Sequence, residues 1–319
     1  MHDLAIPGDL VPVAVETLRP KAVLQFDLFL RGGSGQVPVL FRECHYPLEA
    51  DDLASLGERG IETLYIASHE MAAYERYLRE QVVADPTIPP AARYRALRDV
   101  CRTGFLEALR SNRPARMVEN AVRMAAEIVD VVCDDGLILA DLFAVMQHDY
   151  CTFTHAANVC AYSIALADAL GVKDRQELTK IAVGALLHDV GKRNVPPAIL
   201  NKPGKLTSGE FELVKKHPRD GFAELAGRSD LEWGQLMMVY QHHERPDGSG
   251  YPVGIEENEI HPWAALCSVV DVYDALTSER PYRRAATAGE ALGYLFAKAG
   301  KQFNAEIVKC WIQTATCKR

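Results

Sequence analysis

The sequence holds no CxxC pair, no internal repeat, no low-complexity tract and no apolar run near the ~20 residues that cross a bilayer. Its eight cysteines stand singly, at Cys44, Cys101, Cys133, Cys151, Cys160, Cys267, Cys310 and Cys317. That removes zinc-ribbon and thioredoxin readings and leaves reduced, partly buried thiols. The first ten residues, MHDLAIPGDL, lack the basic start and apolar core of a secretory signal. A cytoplasmic chain with no membrane association is the expectation. Positive charge is scarce: 35 Lys and Arg face 43 Asp and Glu, a net charge of −8. Duplex nucleic acid, which needs a basic surface, is disfavoured as a partner. A small anionic ligand remains compatible, because local charge decides that.

What is present is length and apolar content: 319 residues, 48% hydrophobic, enough for two domains and a sizeable core. The first 80 or so residues differ from the rest. VAVETLRPKAVLQFDLFLRGG and QVPVLFREC carry short β-rich runs around the turn signal RGGSG, which lacks the GK[ST] ending of a phosphate loop. DDLASLGERGIETLYI reads as a short helix, a glycine break and a strand, and MAAYERYLREQVV as an amphipathic helix. DPTIPPA, from Asp85 to Ala91, is a proline-rich hinge. Beyond it the pattern is helical, with helices expected near 93–111, 115–133, 137–148, 152–170, 175–189, 208–217, 219–227, 231–242, 262–278, 287–299 and 304–314. The expected fold is mainly α: a small α+β domain over 1–90, then an all-helical domain over 91–319.

Between Gly184 and Pro252 the chain reads GALLHDVGK, then KKHP, then HHERPDGSGYP. Leu178, Ile181, Ala182, Ala185 and Leu186 follow the spacing of a buried helical stripe. His188 falls seven residues after Ile181 and Asp189 seven after Ala182, so both continue that stripe inward. A buried carboxylate is costly unless paired or bound to a metal. Lys192, one turn from His188, faces the same region, and a plain Asp–Lys ion pair is the simpler account of HD taken alone. More candidates change the balance. His155 lies in the helix beginning near Thr152, and His217 closes a helix opened by the Thr207/Glu210 capping box. His242 and His243 are adjacent and sit at a helix end set by Pro246. Asp271 and Asp274 share a helix flank with Trp263, Cys267 and Val270. Five imidazoles with these carboxylates in one helical domain suit Fe, Mn or Zn better than Mg or Ca. The set is too large for one tetrahedral ion and right for two ions sharing a bridge, a centre suited to phosphate esters.

HDVGK, the later His217, HHERPDGSGYP and VVDVYDALTSERPYR together resemble the HD-GYP subgroup of HD-domain phosphohydrolases, over roughly residues 97 to 285 with weaker agreement to the end. The resemblance implies an HD-type phosphohydrolase domain. It also implies a bacterial signalling enzyme that uses metal-activated hydroxide to open cyclic di-GMP to linear pGpG, often continuing to GMP. Carried over by position, it implies one metal on His155, His188, Asp189 and Asp271 and a second on Asp189, His217, His242 and His243, with Asp189 bridging. Fe or Mn is expected at both sites, ahead of Zn, Ni or Co. Lys192 would contact the scissile phosphate, Tyr251 would lie beside the substrate, and Arg280 and Arg283 would hold its phosphates. Asp274 would orient a ligand rather than bind metal. Where some members carry a Glu for a third metal this chain has Cys151, which implies a two-metal site and leaves hydrolysis of pGpG open.

Two other functions stay open at this stage. The same chemistry could serve another cyclic dinucleotide or a nucleotide, although the intact GYP and RPYR segments favour a cyclic dinucleotide. A catalytically weak module that binds cyclic di-GMP for signalling is the alternative from a different class. The N-terminal domain reads as a sensor, a dimerisation surface or a clamp, so a homodimer or a signalling-protein partner is the expectation it raises.

Overall fold

A computed structural model describes residues 10–31, 37–110, 113–134, 152–278 and 284–316. The helix expected at 137–148, and with it Cys151, Arg280 and Arg283, lie outside these residues. The chain divides into two compact units, 1–100 and 101–319.

In the first unit β1 (Leu10–Ala14), β2 (Leu28–Leu30), β3 (Val39–Arg42) and β4 (Thr63–Ala67) form an antiparallel sheet in the order β1-β4-β2-β3. In β4 Leu64 and Ile66 are buried and Thr63 is exposed, the period of two that puts one strand face on the core. That face is covered by α1 (Ala50–Glu58), which opens on a Glu49/Asp52 capping box, and by α2 (Met71–Leu78). Phe26 meets the rings of Tyr74 and Tyr77 edge-on at 5.3 and 5.6 Å. The buried Tyr74 hydroxyl is satisfied by Thr17 Oγ1 at 3.1 Å. The chain then enters α3 (Pro90–Arg110), with proline at the helix start, where its missing N–H costs nothing.

The second unit is helical: α4 (Pro114–Asp134), α5 (Thr152–Ala169), α6 (Arg175–Leu187), the short α7 (Pro197–Leu200), α8 (Ser208–Val214), α9 (His217–Leu225), α10 (Trp233–Gln241), α11 (Pro262–Thr277), α12 (Ala288–Lys298) and α13 (Ala305–Thr316). Among the described residues no helix is long and apolar enough to cross a membrane. Helix α6 is central, packed against α4, α5 and α10. It is buried without a break from Ile181 to Leu187, which is why its sequence is nearly all apolar there. Tyr162, Tyr273 and Trp311 meet edge-to-face at 5.2–5.6 Å and fasten α5, α11 and α13 together.

Helix ends position the polar groups. α6 and α10 stop at Leu187 and Gln241, one or two residues short of the expected limits, and His188 and His242 occupy their C-cap positions. The Thr207/Glu210 capping box opens α8 as the sequence indicates. That helix ends at Val214, however, so His217 opens α9 instead of closing α8. Pro218 explains the difference. Lacking an N–H, it fits a first turn, and the new helix starts one residue before it.

Candidate metal centre

The segment after α6 turns sharply. Asp189 leaves the helix, and Val190–Asn194 forms a 3₁₀ turn that packs against the start of α9. Close approach depends on two glycines. A Cβ on Gly191 would overlap the His217 carbonyl oxygen and lie 2.7 Å from Gly221 N, while one on Gly221 would lie 3.1 Å from Gly191 N. Backbone on backbone, this contact sets Asp189 against His217.

His155, His188, His217 and His242 are each at most 2% exposed, and Asp189 and Asp271 are 6% and 7% exposed. Their donor atoms fall into two groups. Asp189, His217, His242 and His243 each offer a ligand atom within 4.8 Å of the others, and so do His155, His188 and Asp271. Asp189 stands between them. Its Oδ1 lies 3.2 and 3.7 Å from Nε2 of His217 and His242. Its Oδ2 lies 3.3 and 3.7 Å from Nε2 of His188 and His155 and accepts from Lys192 Nζ. His155 Nε2 also faces Asp271 Oδ1 at 3.0 Å.

The far side of each ring decides what the near side offers. Nδ1 of His188 lies 2.7 Å from the Ala185 carbonyl, Nδ1 of His217 2.8 Å from that of Val214, and Nδ1 of His242 2.9 Å from that of Met238. A carbonyl only accepts, so Nδ1 carries the hydrogen in all three. His155 Nδ1 donates in the same way to Asp274 Oδ2 at 2.7 Å, and Asp274 Oδ1 accepts from the buried Asn158 at 2.7 Å. In the neutral rings every Nε2 is then a lone pair aimed inward. Two of them, on His217 and His242, stand 3.2 Å apart and both face the Asp189 carboxylate. His188 Nε2 is buried with no hydrogen-bond partner. Lone pairs and carboxylates that converge with Lys192 as the one donor named among them are the arrangement a cation completes, and the mixed N and O donors suit a divalent transition metal.

The electrostatics agree with that geometry. Burial opposes charge on Asp189, but the Lys192 ammonium acts against it and the carboxyl is held well below its usual range. Burial likewise opposes charge on Asp271, and a proton on Nε2 of the adjoining His155, in the place a cation would take, holds it low. Burial pushes His242 down to about 4, and burial with the neighbouring His242 pushes His243 far down too, so both rings stay neutral and able to ligate.

Tyr251 flanks the centre, its ring 4.7 Å from that of His243 and 6.5 Å from that of His217. Burial raises its hydroxyl pKa. Sequence reasoning missed what holds this loop. Glu244, 2% exposed, accepts from Val253 N at 2.7 Å and Gly254 N at 3.0 Å. Gly250 passes so close to Glu244 that a Cβ there would lie 2.7 Å from its carbonyl carbon. The E of HHE was the available signal, but nothing in the spacing shows which amides it would bind.

A family model described as HD domain matches residues 109–307. Over 193 residues the chain is 37% identical to the cyclic di-GMP phosphodiesterase PA4108 of Pseudomonas aeruginosa, a match covering 59% of this chain and 46% of that one. Over 145 residues it is 43% identical to the cyclic di-GMP phosphodiesterase response regulator RpfG of Xanthomonas campestris pv. campestris, covering 45% of this chain and 38% of that one. The chain thus spans less than half the length of these curated relatives. The solved structure of Bd1817, a HDG"Y"P protein from Bdellovibrio bacteriovorus, shares its fold, with a TM-score of 0.66 at 22% identity over 95% of this chain and 98% of that one.

Proposed function

The chain belongs to the HD domain family, and from that premise we propose that it is a metal-dependent phosphodiesterase that opens cyclic di-GMP to linear pGpG. The observation that carries this reading is the Asp189 carboxylate, whose two oxygens face two separate sets of inward-aimed imidazole nitrogens. Its likeness to two relatives named as cyclic di-GMP phosphodiesterases supports the choice of substrate.

In this reading His155, His188, Asp189 and Asp271 hold one ion and Asp189, His217, His242 and His243 the other, with iron or manganese favoured by the mixed donors. Two such ions supply a nucleophile near neutral pH and stabilise charge on the phosphoryl group. The remaining work belongs to the chain. Asp189 presents one oxygen to each ligand group, and Asp274 and the three backbone carbonyls fix the imidazole tautomers. Lys192 brings its ammonium to the edge of the centre, where it is partly exposed and complementary to a phosphate. Tyr251 walls the approach beside His243, held by the loop that Glu244 anchors. Arg280 and Arg283 complete the proposed phosphate contacts on the strength of the sequence resemblance.

The test is metal analysis of anaerobically purified protein coupled to turnover of cyclic di-GMP, cyclic GMP-AMP and dGTP. Two metals per chain and a linear dinucleotide as first product are expected, and His188→Ala and Asp189→Ala should lose metal and turnover. Full activity in Asp189→Ala, or preferred turnover of dGTP, refutes the proposal.

A further inference from the structure

Phe211 is a large apolar side chain left 46% exposed on α8. A single exposed phenylalanine is ordinary on a protein surface, but the surroundings of this one are not. Its ring lies edge-on to that of Tyr251, centroids 6.5 Å apart, and Tyr251 is in turn 4.7 Å from His243. The rings of His243, Tyr251 and Phe211 therefore form a row that starts at the proposed metal ligands and ends in solvent. Lys215 Nζ, which also pairs with Glu212, sits 5.4 Å from the Phe211 ring centroid. Its ammonium thus lies over one face of the ring, on a flexible stem that can swing to the rim of a base stacked there.

Resting on the function proposed above, we infer that Phe211 is a substrate-binding residue, the stacking platform for one purine base of the cyclic dinucleotide. In such a substrate the bases project outward from the ring that carries both phosphates. With one phosphate at the metals, a base on that side is carried outward along the row, past Tyr251. Phe211 offers the base a π-face there, and stacking of this kind is tolerant of sequence and strong for its size. Lys215 adds a donor suited to the O6 and N7 acceptors of guanine, whereas adenine carries an amino donor at the O6 position. α8 also ends three residues before His217, so the platform and a proposed metal ligand lie only six positions apart in the chain.

The experiment compares Phe211→Ala, Phe211→Leu and Phe211→Trp in the full metal-loaded protein. It measures kcat and KM for cyclic di-GMP, equilibrium binding of pGpG by calorimetry, metal content, and hydrolysis of bis(p-nitrophenyl) phosphate, which carries no purine. Expected are a roughly tenfold rise in KM and in the pGpG dissociation constant for the Ala and Leu variants, with kcat changed less than twofold. Metal content and hydrolysis of the purine-free diester should stay unchanged, and the Trp variant should retain wild-type KM. Unchanged KM in Phe211→Ala, or an equal loss on the purine-free diester, overturns the stacking role while leaving the phosphodiesterase reading intact. Wild-type protein that cleaves the purine-free diester but neither binds nor cleaves a cyclic dinucleotide overturns both.

Discussion

Substituting Gly191 by alanine tests how the centre is assembled without touching any ligand. A Cβ there would overlap the His217 carbonyl oxygen and lie 2.7 Å from Gly221 N and 2.9 Å from the His217 carbonyl carbon. All three are backbone atoms, so no side chain can rotate away. Restoring an ordinary C···O separation of about 3.3 Å requires a shift on the order of 1 Å between the 190–194 turn and α9. Asp189 rides on one side of that shift and His217 on the other. Metal–ligand distances tolerate only about 0.2 Å, and a displacement of ~1 Å can cost about 100-fold in rate. Overpacking of this kind also destabilises by about 1–3 kcal/mol, which lowers Tm by roughly 2–10 °C in a domain of this size. Melting of the metal-free protein reads the packing effect, and metal content with turnover of cyclic di-GMP reads the effect on the centre. Gly191→Ala protein with wild-type metal content and turnover would refute the placement of this contact as the link between Asp189 and His217.

Three further outcomes follow from the same structure. Asp274→Asn removes the carboxylate that holds His155 Nδ1 and should lower affinity at the metal site containing His155 by about 10- to 100-fold; competition with a metal chelator measures it, and unchanged affinity counts against the role. Metal-free protein should lose stability steadily as the pH falls from 6.5 towards 4. The unfolded chain takes up the His242 proton near 6.5, whereas burial delays uptake in the folded state to about 4; urea midpoints that do not move across this window would contradict it. Gly293→Ala, in α12 with nothing within 4 Å of the new Cβ, should raise stability by about 0.5–1 kcal/mol with turnover unchanged, which thermal melting will show.

The sequence is most informative where one helix face runs straight into the chemistry. The stripe from Leu178 to Leu186 points His188 and Asp189 inward, and the two are 0% and 6% exposed. Pro246 and the residues before it correctly mark a helix end at the paired histidines. The α+β start is legible because β4 alternates and glycines punctuate the runs around it. The α8–α9 break is legible from Pro218, but its exact place is not, because helical periodicity passes through Val214 to His217 without interruption. Nor is the meeting of Gly191 with Gly221, or of Glu244 with the 253–254 amides, since contacts between segments leave no periodic trace. The assignment of imidazoles to one Asp189 oxygen or the other is a property of distances alone.

Three of the histidines accept their seats at the ends of helices: α6, α8 and α10 each terminate within three residues of His188, His217 or His242. Each ring binds a carbonyl of the final turn. The negative poles of α6 and α10 therefore face the centre, joined there by Asp189, Asp271 and Asp274 and offset by Lys192 and by the start of α9 at His217. Such a field draws in cations and repels a phosphodiester. A bound cation would offset that field, so in the proposed reading an anionic substrate would follow the metal rather than precede it.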